Sequence, residues 1–197
     1  MAVTIPATAT KNKRASALPP DERRSMIVAA TLPLLLEHGD RVTTRQIAEA
    51  AGIAEGTIFR VFADKDEIIT AVVETALDPE PLEAAVSAIP DDLSLEDALL
   101  AVIAFMQQRV IDIWRLVSSV RSQFNEMARR PVADSDALTR MFEVRRTYIS
   151  VEPIVAARLL RSLTLSTTHP MLSGEPTSPE ELVQLFLHGV GGETPSC

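Results

Sequence analysis

The sequence predicts an all-α protein, a three-helix N-terminal domain followed by a C-terminal helical bundle, and three observations carry that prediction. Apolar residues make up 46% of the chain but aromatic residues only 4%, a balance that suits packed helices better than facing sheets. Apolar positions recur at three- and four-residue spacing along most of the length. Helix-start signals of the form Ser, Thr or Asp followed three residues later by Glu or Gln recur ahead of those stretches.

Residues 1 to about 20 are Ala, Thr, Pro and Lys, a composition that buries no core and predicts a flexible basic tail carrying Lys11, Lys13 and Arg14. From Asp21 to about His38, Met26, Ile27, Ala30, Leu34 and Leu35 form a helical stripe that Gly39 ends, with a kink or break expected at Pro33. Thr43 with Gln46 has capping-box spacing and starts a short helix through Ile47, Ala48 and Ala51, with an exit at Gly52. A second short helix is expected over about 55 to 62, burying Ile58 and Phe62. Asp64 with Glu67 starts the next, whose Ile68, Ile69, Val72, Val73 and Ala76 face inward.

The stretch DPEP at 78 to 81 breaks the pattern, which places a boundary between a domain at 21–78 and another at 79–197. Beyond it, amphipathic stretches run over about 94 to 109, 111 to 129, 135 to 149 and 153 to 167. The last helix begins with Ser178 as cap, Pro179 at its first position and Glu181 completing the box, and closes at Gly189.

A short supporting helix, a glycine turn and a short second helix over 43 to 62 have the anatomy of a helix-turn-helix, with Ile53 as the apolar pin and Gly56 allowing close backbone approach. An ordinary helical hairpin containing glycine is the competing reading. Residues 44 to 69, TRQIAEAAGIAEGTIFRVFADKDEII, resemble the DNA-binding signature of the TetR family of bacterial transcriptional regulators. The matching places are Thr43 or Thr44, Ile47, Ala48, Ala51, Gly52, Gly56, Thr57, Phe59, Phe62 and Lys65.

That resemblance implies double-stranded DNA as partner and assigns the contacts. Thr43, Thr44 and Arg45 would hold phosphate and reach a base edge, and Gly56 and Thr57 would press the second helix to the backbone. Phe59 and Arg60 stand where the family has tyrosine and histidine, and Lys65 would complete the phosphate clamp. Three departures stand out. Phe59 lacks a phenolic hydroxyl, Ala54 replaces a capping serine, and Glu55 puts an acid on the DNA-facing end, where it repels phosphate but can accept from a cytosine amine.

A formal net charge of -8 does not exclude DNA. Residues 1 to 78 carry 9 basic against 11 acidic side chains and the remainder 10 against 16, and phosphate contacts are local, screened beyond about 8 Å at physiological salt. Arg23, Arg24, Arg45, Arg60 and Lys65 could gather with the basic tail on one side.

In the second part, Phe105, Met106, Trp114, Phe124, Met127, Met141 and Phe142 fall on successive helices that in TetR relatives enclose a small-molecule effector pocket; plain core is the alternative. Arg115, Arg121 and Arg145 read as solvated, with an acidic ligand as the other possibility. The final two helices resemble the pair forming the family's dimer interface, through Ile154, Ala157, Leu160 and Leu163 on one and Leu182, Leu185 and Phe186 on the other, against the alternative that both faces cover their own core.

His38, His169 and His188 are isolated, so neither metal nor cofactor is expected, and Ser173 and Ser196 have no paired base, so neither is catalysis. The longest apolar run, 98 to 106, is far short of the ~18 residues a membrane span needs, and no apolar run follows the basic tail, so no secretory signal is expected. The single cysteine, Cys197, permits no internal disulfide. The expectation is a cytoplasmic, homodimeric regulator, most simply a ligand-responsive repressor of a palindromic operator; the alternative is a helical small-molecule carrier or adaptor with a vestigial DNA module.

Overall fold

A computed structural model describes residues 19–120 and 133–189; the basic tail with Lys11, Lys13 and Arg14, the positions Arg121, Phe124 and Met127, and Ser196 and Cys197 lie outside them. Among the described residues every regular element is helical. In chain order these are α1 (Pro20–His38), a 3-10 turn (Gly39–Arg41), α2 (Thr44–Ala50), α3 (Glu55–Ile58), α4 (Lys65–Leu77), α5 (Glu80–Ser87), α6 (Leu95–Ser119), α7 (Asp136–Val144), a second 3-10 turn (Arg146–Tyr148), α8 (Pro153–Thr168), α9 (Pro170–Ser173) and α10 (Pro179–His188).

The apolar residues collect into two cores. The head core joins Ile27 and Leu35 of α1, Ile47 of α2, Ile58, Phe62, and Ile68, Ile69 and Val72 of α4. Leu116, Val117 and Val120, from the far end of α6, complete it. The body core is built by Leu82 and Val86 of α5, Leu99, Val102 and Ile103 from the first half of α6, Leu138 and Phe142 of α7, Leu160 of α8, and Leu182 of α10. One helix therefore belongs to both cores, its 25 residues spanning ~37 Å at 1.5 Å per residue.

Several expectations needed correction. The interruption near Val110 is absent, because nothing between Leu95 and Ser119 breaks the ladder, and the apolar stripe simply changes partner from body to head. DPEP ends α4, as expected, but also starts α5, which was not expected: Pro81 takes an early helical position, where its missing N–H is no loss, and the Asp78 carboxylate accepts from the Glu80 amide at 3.0 Å. At Pro33, α1 continues unbroken; Ala29 and Pro33 are both exposed, so water can satisfy the carbonyl that proline leaves unbonded.

The helix expected over 135 to 149 stops at Val144. There Arg145, expected to be solvated, is buried, its guanidinium donating to the carbonyls of Met141 (3.1 Å), Leu93 (3.1 Å) and Pro90 (2.8 Å). It ties the end of α7 to the loop before α6. Arg115 is exposed beside Asp112, as a solvated helix face requires.

Two clasps hold the head. Asp64 caps α4 through the Glu67 amide (2.8 Å), while the Glu67 carboxylate takes the Ala63 amide (2.7 Å) and Arg24 of α1 (3.1 Å), whose guanidinium lies 4.3 Å from the centre of the Phe62 ring. The Ala63 amide first, and Arg24 second, hold the Glu67 carboxyl below the usual carboxylate range. A carboxyl depressed on folding stabilises the native state fully above its unfolded pKa and loses that effect as the pH falls through the lowered value. Acid unfolding of Glu67→Gln should therefore lack this component and show a flatter pH dependence below the usual carboxylate range. At the other clasp, Arg109 of α6 donates to the Asp78 carbonyl at the end of α4.

Candidate nucleic-acid interface

The interface begins with local chemistry. Thr43 accepts from the Gln46 amide at 3.2 Å and Gln46 returns an acceptor to the Thr43 amide at 2.9 Å, so the expected capping box starts α2. At the other end Gly52 takes φ +66°, and the paired bonds Ile53 N–H to Ala48 carbonyl (3.0 Å) and Gly52 N–H to Glu49 carbonyl (3.1 Å) close the helix as a Schellman turn. The chain then re-enters at α3, where Ile58 and Phe62 are fully buried and pin the unit to the head.

The second helix is shorter than expected. Only Glu55–Ile58 is α-helical; the amides of Val61 and Phe62 both bond the Ile58 carbonyl at 2.9 Å, tightening the last turn. Phe62 still reaches the core, so the unit keeps its predicted inward and outward faces.

On the outward side, Arg45, Glu55, Gly56, Phe59 and Arg60 are exposed, and Thr57 is half-buried. A methyl group built on Gly56 would meet nothing within 4 Å, so the protein itself leaves that backbone open to whatever approaches from outside. Glu55 is not free: the Thr44 hydroxyl donates to its carboxylate at 2.5 Å, joining the starts of α2 and α3. Lys65 is engaged too, its ammonium donating to the Asp40 carbonyl at 2.7 Å. Arg24, expected with the DNA-facing cations, serves the Glu67 clasp.

The comparisons with known proteins coincide with this geometry. Residues 27–72, from within α1 into α4, match the profile of bacterial regulatory proteins of the tetR family. Over those residues the chain is similar to the DNA-binding module of the TetR family. Over 200 residues it is 28% identical to an uncharacterized HTH-type transcriptional regulator of Mycobacterium tuberculosis, covering 93% of this chain and 83% of that protein. Over 59 residues it is 39% identical to the HTH-type transcriptional regulator HbdR of Aromatoleum sp. strain CIB, covering 29% of this chain and 26% of that protein. A TetR/AcrR-family regulator from Thermobifida fusca shares the fold with a TM-score of 0.58 at 19% identity, over 87% of this chain and all of that one. The proteins it resembles are transcriptional regulators with a helix-turn-helix DNA-binding domain, which are not enzymes, and these similarities support a regulator of that kind.

In the body, the residues expected at an effector pocket and a pairing surface lie at different depths. Met106, Met141 and Phe142 are buried in its core, Phe142 lying 5.8 Å from Phe186 between ring centres. Phe105 is over a third exposed, and Trp114 is half-buried with its ring edge-on to His169 at 4.5 Å. A groove of about 710 Å³ lies instead between α6 and α10, lined by Glu96, Leu100, Val183, Gln184, Leu185 and His188 among others, none of them an expected effector contact. Glu96 and Gln184 bond across it at 2.9 Å.

Of the expected interface residues, Ala157, Leu160 and Leu182 lie inside their own core and have no surface to offer a partner. Ile154, Leu163, Leu185 and Phe186 are half-buried. The exposed apolar residues of α8 are Val155, Leu159 and Leu165, which periodicity alone did not select because both faces of that helix are apolar. Among the described residues no group of His, Cys, Asp and Glu has metal-site geometry, and no helix is long and apolar enough to cross a membrane.

Proposed function

We propose that this regulator is a ligand-responsive repressor that binds a palindromic operator as a homodimer, acting in the cytoplasm where its DNA lies. The head over 21–78 carries the DNA contacts, and the body over 79–197 carries pairing and effector response. The observation that supports it most is the outward face of α2 and α3, where Arg45, Gly56, Thr57 and Arg60 surround a sterically open backbone while Ile58 and Phe62 fix the unit from beneath. Thr43 and Thr44 stand at the start of α2 with their hydroxyls donating to Gln46 and Glu55, and exposed Phe59 offers its ring face for packing.

Two such units enter successive major grooves when a two-fold places them about 34–36 Å apart, or a multiple of that. The proposed pairing surface is the exposed side of α8, with Val155 and Leu159 at its centre. Leu159→Arg places a charge in that contact and is expected to weaken self-association by about two orders of magnitude, operator affinity falling with it. Light scattering after gel filtration reads the first effect and gel shift the second. An unchanged dimer mass at low micromolar concentration would move the interface elsewhere.

An effector held in the groove between α6 and α10 would bear on the helix that also completes the head core, which gives ligand binding a route to the spacing of the two heads. The experiment for the function as a whole is gel shift on the region upstream of the protein's own gene at two salt concentrations. Arg45→Ala is expected to weaken binding about tenfold and to relax base preference. Lys65→Ala is expected to weaken all sequences alike and, because it also removes the Asp40 contact, to lower stability by about 1 kcal/mol. Equal losses on specific and random DNA for both variants would refute that division of labour.

A further inference from the structure

We infer that Glu55, held by Thr44, is a specificity-determining residue that reads the exocyclic amine of one cytosine in each half-site. The inference rests on the proposed approach of α2 and α3 to the major groove and adds the identity of one base.

An acid on a surface that meets phosphate is costly unless it does something a neutral residue cannot. Glu55 is exposed at the first position of α3, next to the open backbone of Gly56, and among the described residues no ion pair engages it. Its hydrogen-bond partner among the described residues is the Thr44 hydroxyl, which donates to Oε1 at 2.5 Å across the turn from the start of α2. That bond removes most of the rotational freedom of a long side chain and leaves Oε2 without a donor from Thr44.

A fixed, ionised carboxylate oxygen is an acceptor only. In the major groove cytosine and adenine present amine donors, whereas guanine and thymine present acceptors that a carboxylate repels. Adenine also presents its N7 acceptor beside the amine, so a pure acceptor is matched best by cytosine N4, where no acceptor adjoins on the same base. The guanidinium of Arg45, on the turn of α2 adjoining Thr44, supplies the complementary donor for an acceptor-rich neighbour such as guanine.

This reading separates from a purely structural tie by the sign of its effects. If Glu55 only joined α2 to α3, replacing it would weaken binding to every sequence. If it reads cytosine at the expense of phosphate repulsion, Glu55→Ala tightens binding to random duplex while losing preference at one position. Glu55→Gln, which both donates and accepts, moves that preference from cytosine toward adenine. Thr44 acts as a positioning residue: Thr44→Val blunts the preference at the same base pair, and Thr44→Ser, which keeps the hydroxyl, restores it.

The test is selection of bound duplexes from a randomised library by the full chain and these four variants, with thermal unfolding as the folding control. Expected is a two-fold symmetric site in which one C·G pair per half-site is preferred about tenfold by the unaltered chain and by Thr44→Ser. That preference is lost in Glu55→Ala and Thr44→Val and replaced by A·T in Glu55→Gln. The same motif with the same preferences from all the chains would overturn the role of Glu55 while leaving the DNA-binding face intact. Uniformly weaker binding by Glu55→Ala on all sequences would reduce the residue to a tie between helices. Failure of the unaltered chain to select any motif would remove the proposed function and this inference together.

Discussion

Gly39→Ala is expected to lower the stability of the whole protein by about 2–4 kcal/mol, the largest effect of any single-methyl change here. Gly39 sits at φ 57° and ψ -143°, a backbone region nearly closed to residues with a side chain, and it is the point where α1 turns toward the DNA-binding unit. An added Cβ would lie 2.6 Å from the carbonyl oxygen of Ser119, the last residue of α6, a backbone atom that cannot swing aside. Relief would require α6 to withdraw from the head, and Leu116, Val117 and Val120 would leave the core with it. Gly174 provides the control, since its φ of +69° is also left-handed but an added methyl there meets nothing within 4 Å. Gly174→Ala should cost only the conformational strain, about 1–2 kcal/mol. Chemical denaturation of both variants isolates the α6 contact as their difference; equal losses would mean that the close approach at Ser119 relaxes freely.

Gly56→Leu is expected to leave folding intact and to cut operator affinity at least ~100-fold, on the basis of one lost charge-assisted contact of ~1.5–3 kcal/mol in each of two subunits. The protein has no atom within 4 Å of the position, and replacing a helical glycine raises stability by up to ~1 kcal/mol, so the thermal midpoint should hold or rise. DNA, by contrast, would meet an isobutyl group where the backbone is meant to approach. A variant that unfolds at the same or higher temperature and binds as well as the unaltered chain would show that DNA does not touch this face.

What was legible in the sequence is what forms within about four residues of itself. The capping boxes at Thr43 with Gln46 and at Ser178 with Glu181, the cap of Asp64 on Glu67, and the left-handed exit at Gly52 appear as expected because each is a bond between near neighbours. The buried pair Ile58 and Phe62 follows from helical spacing even though the helix tightens after one turn. What was not legible depends on residues far apart in the chain. Gly39 against Ser119, Lys65 on the Asp40 carbonyl, Arg24 on Glu67 and Arg145 on Pro90 and Leu93 leave no mark at short range.

Prolines at 79 and 81 end one helix and begin another with the same chemistry, so the break was visible but α5 was not. Helix α8 carries Val155 and Leu159 on one side and Ala157 and Leu160 on the other; periodicity shows two apolar faces, and only the packing of α6 and α7 decides which goes inside. The Met and Phe residues expected at an effector pocket carry the same ambiguity, since a core and a pocket draw on one set of side chains.

The chain thus has a helix-turn-helix head whose core is closed by a helix rooted in the body, with an exposed α2–α3 face as the proposed DNA contact. Hydroxyl-radical footprinting on a selected operator tests that claim most directly. The account predicts two backbone patches protected symmetrically about a dyad, centred about 34–36 Å apart or a multiple of it, and absent with Gly56→Leu at the same protein concentration. Protection by Gly56→Leu indistinguishable from that of the unaltered chain, or a footprint with no dyad, would contradict it.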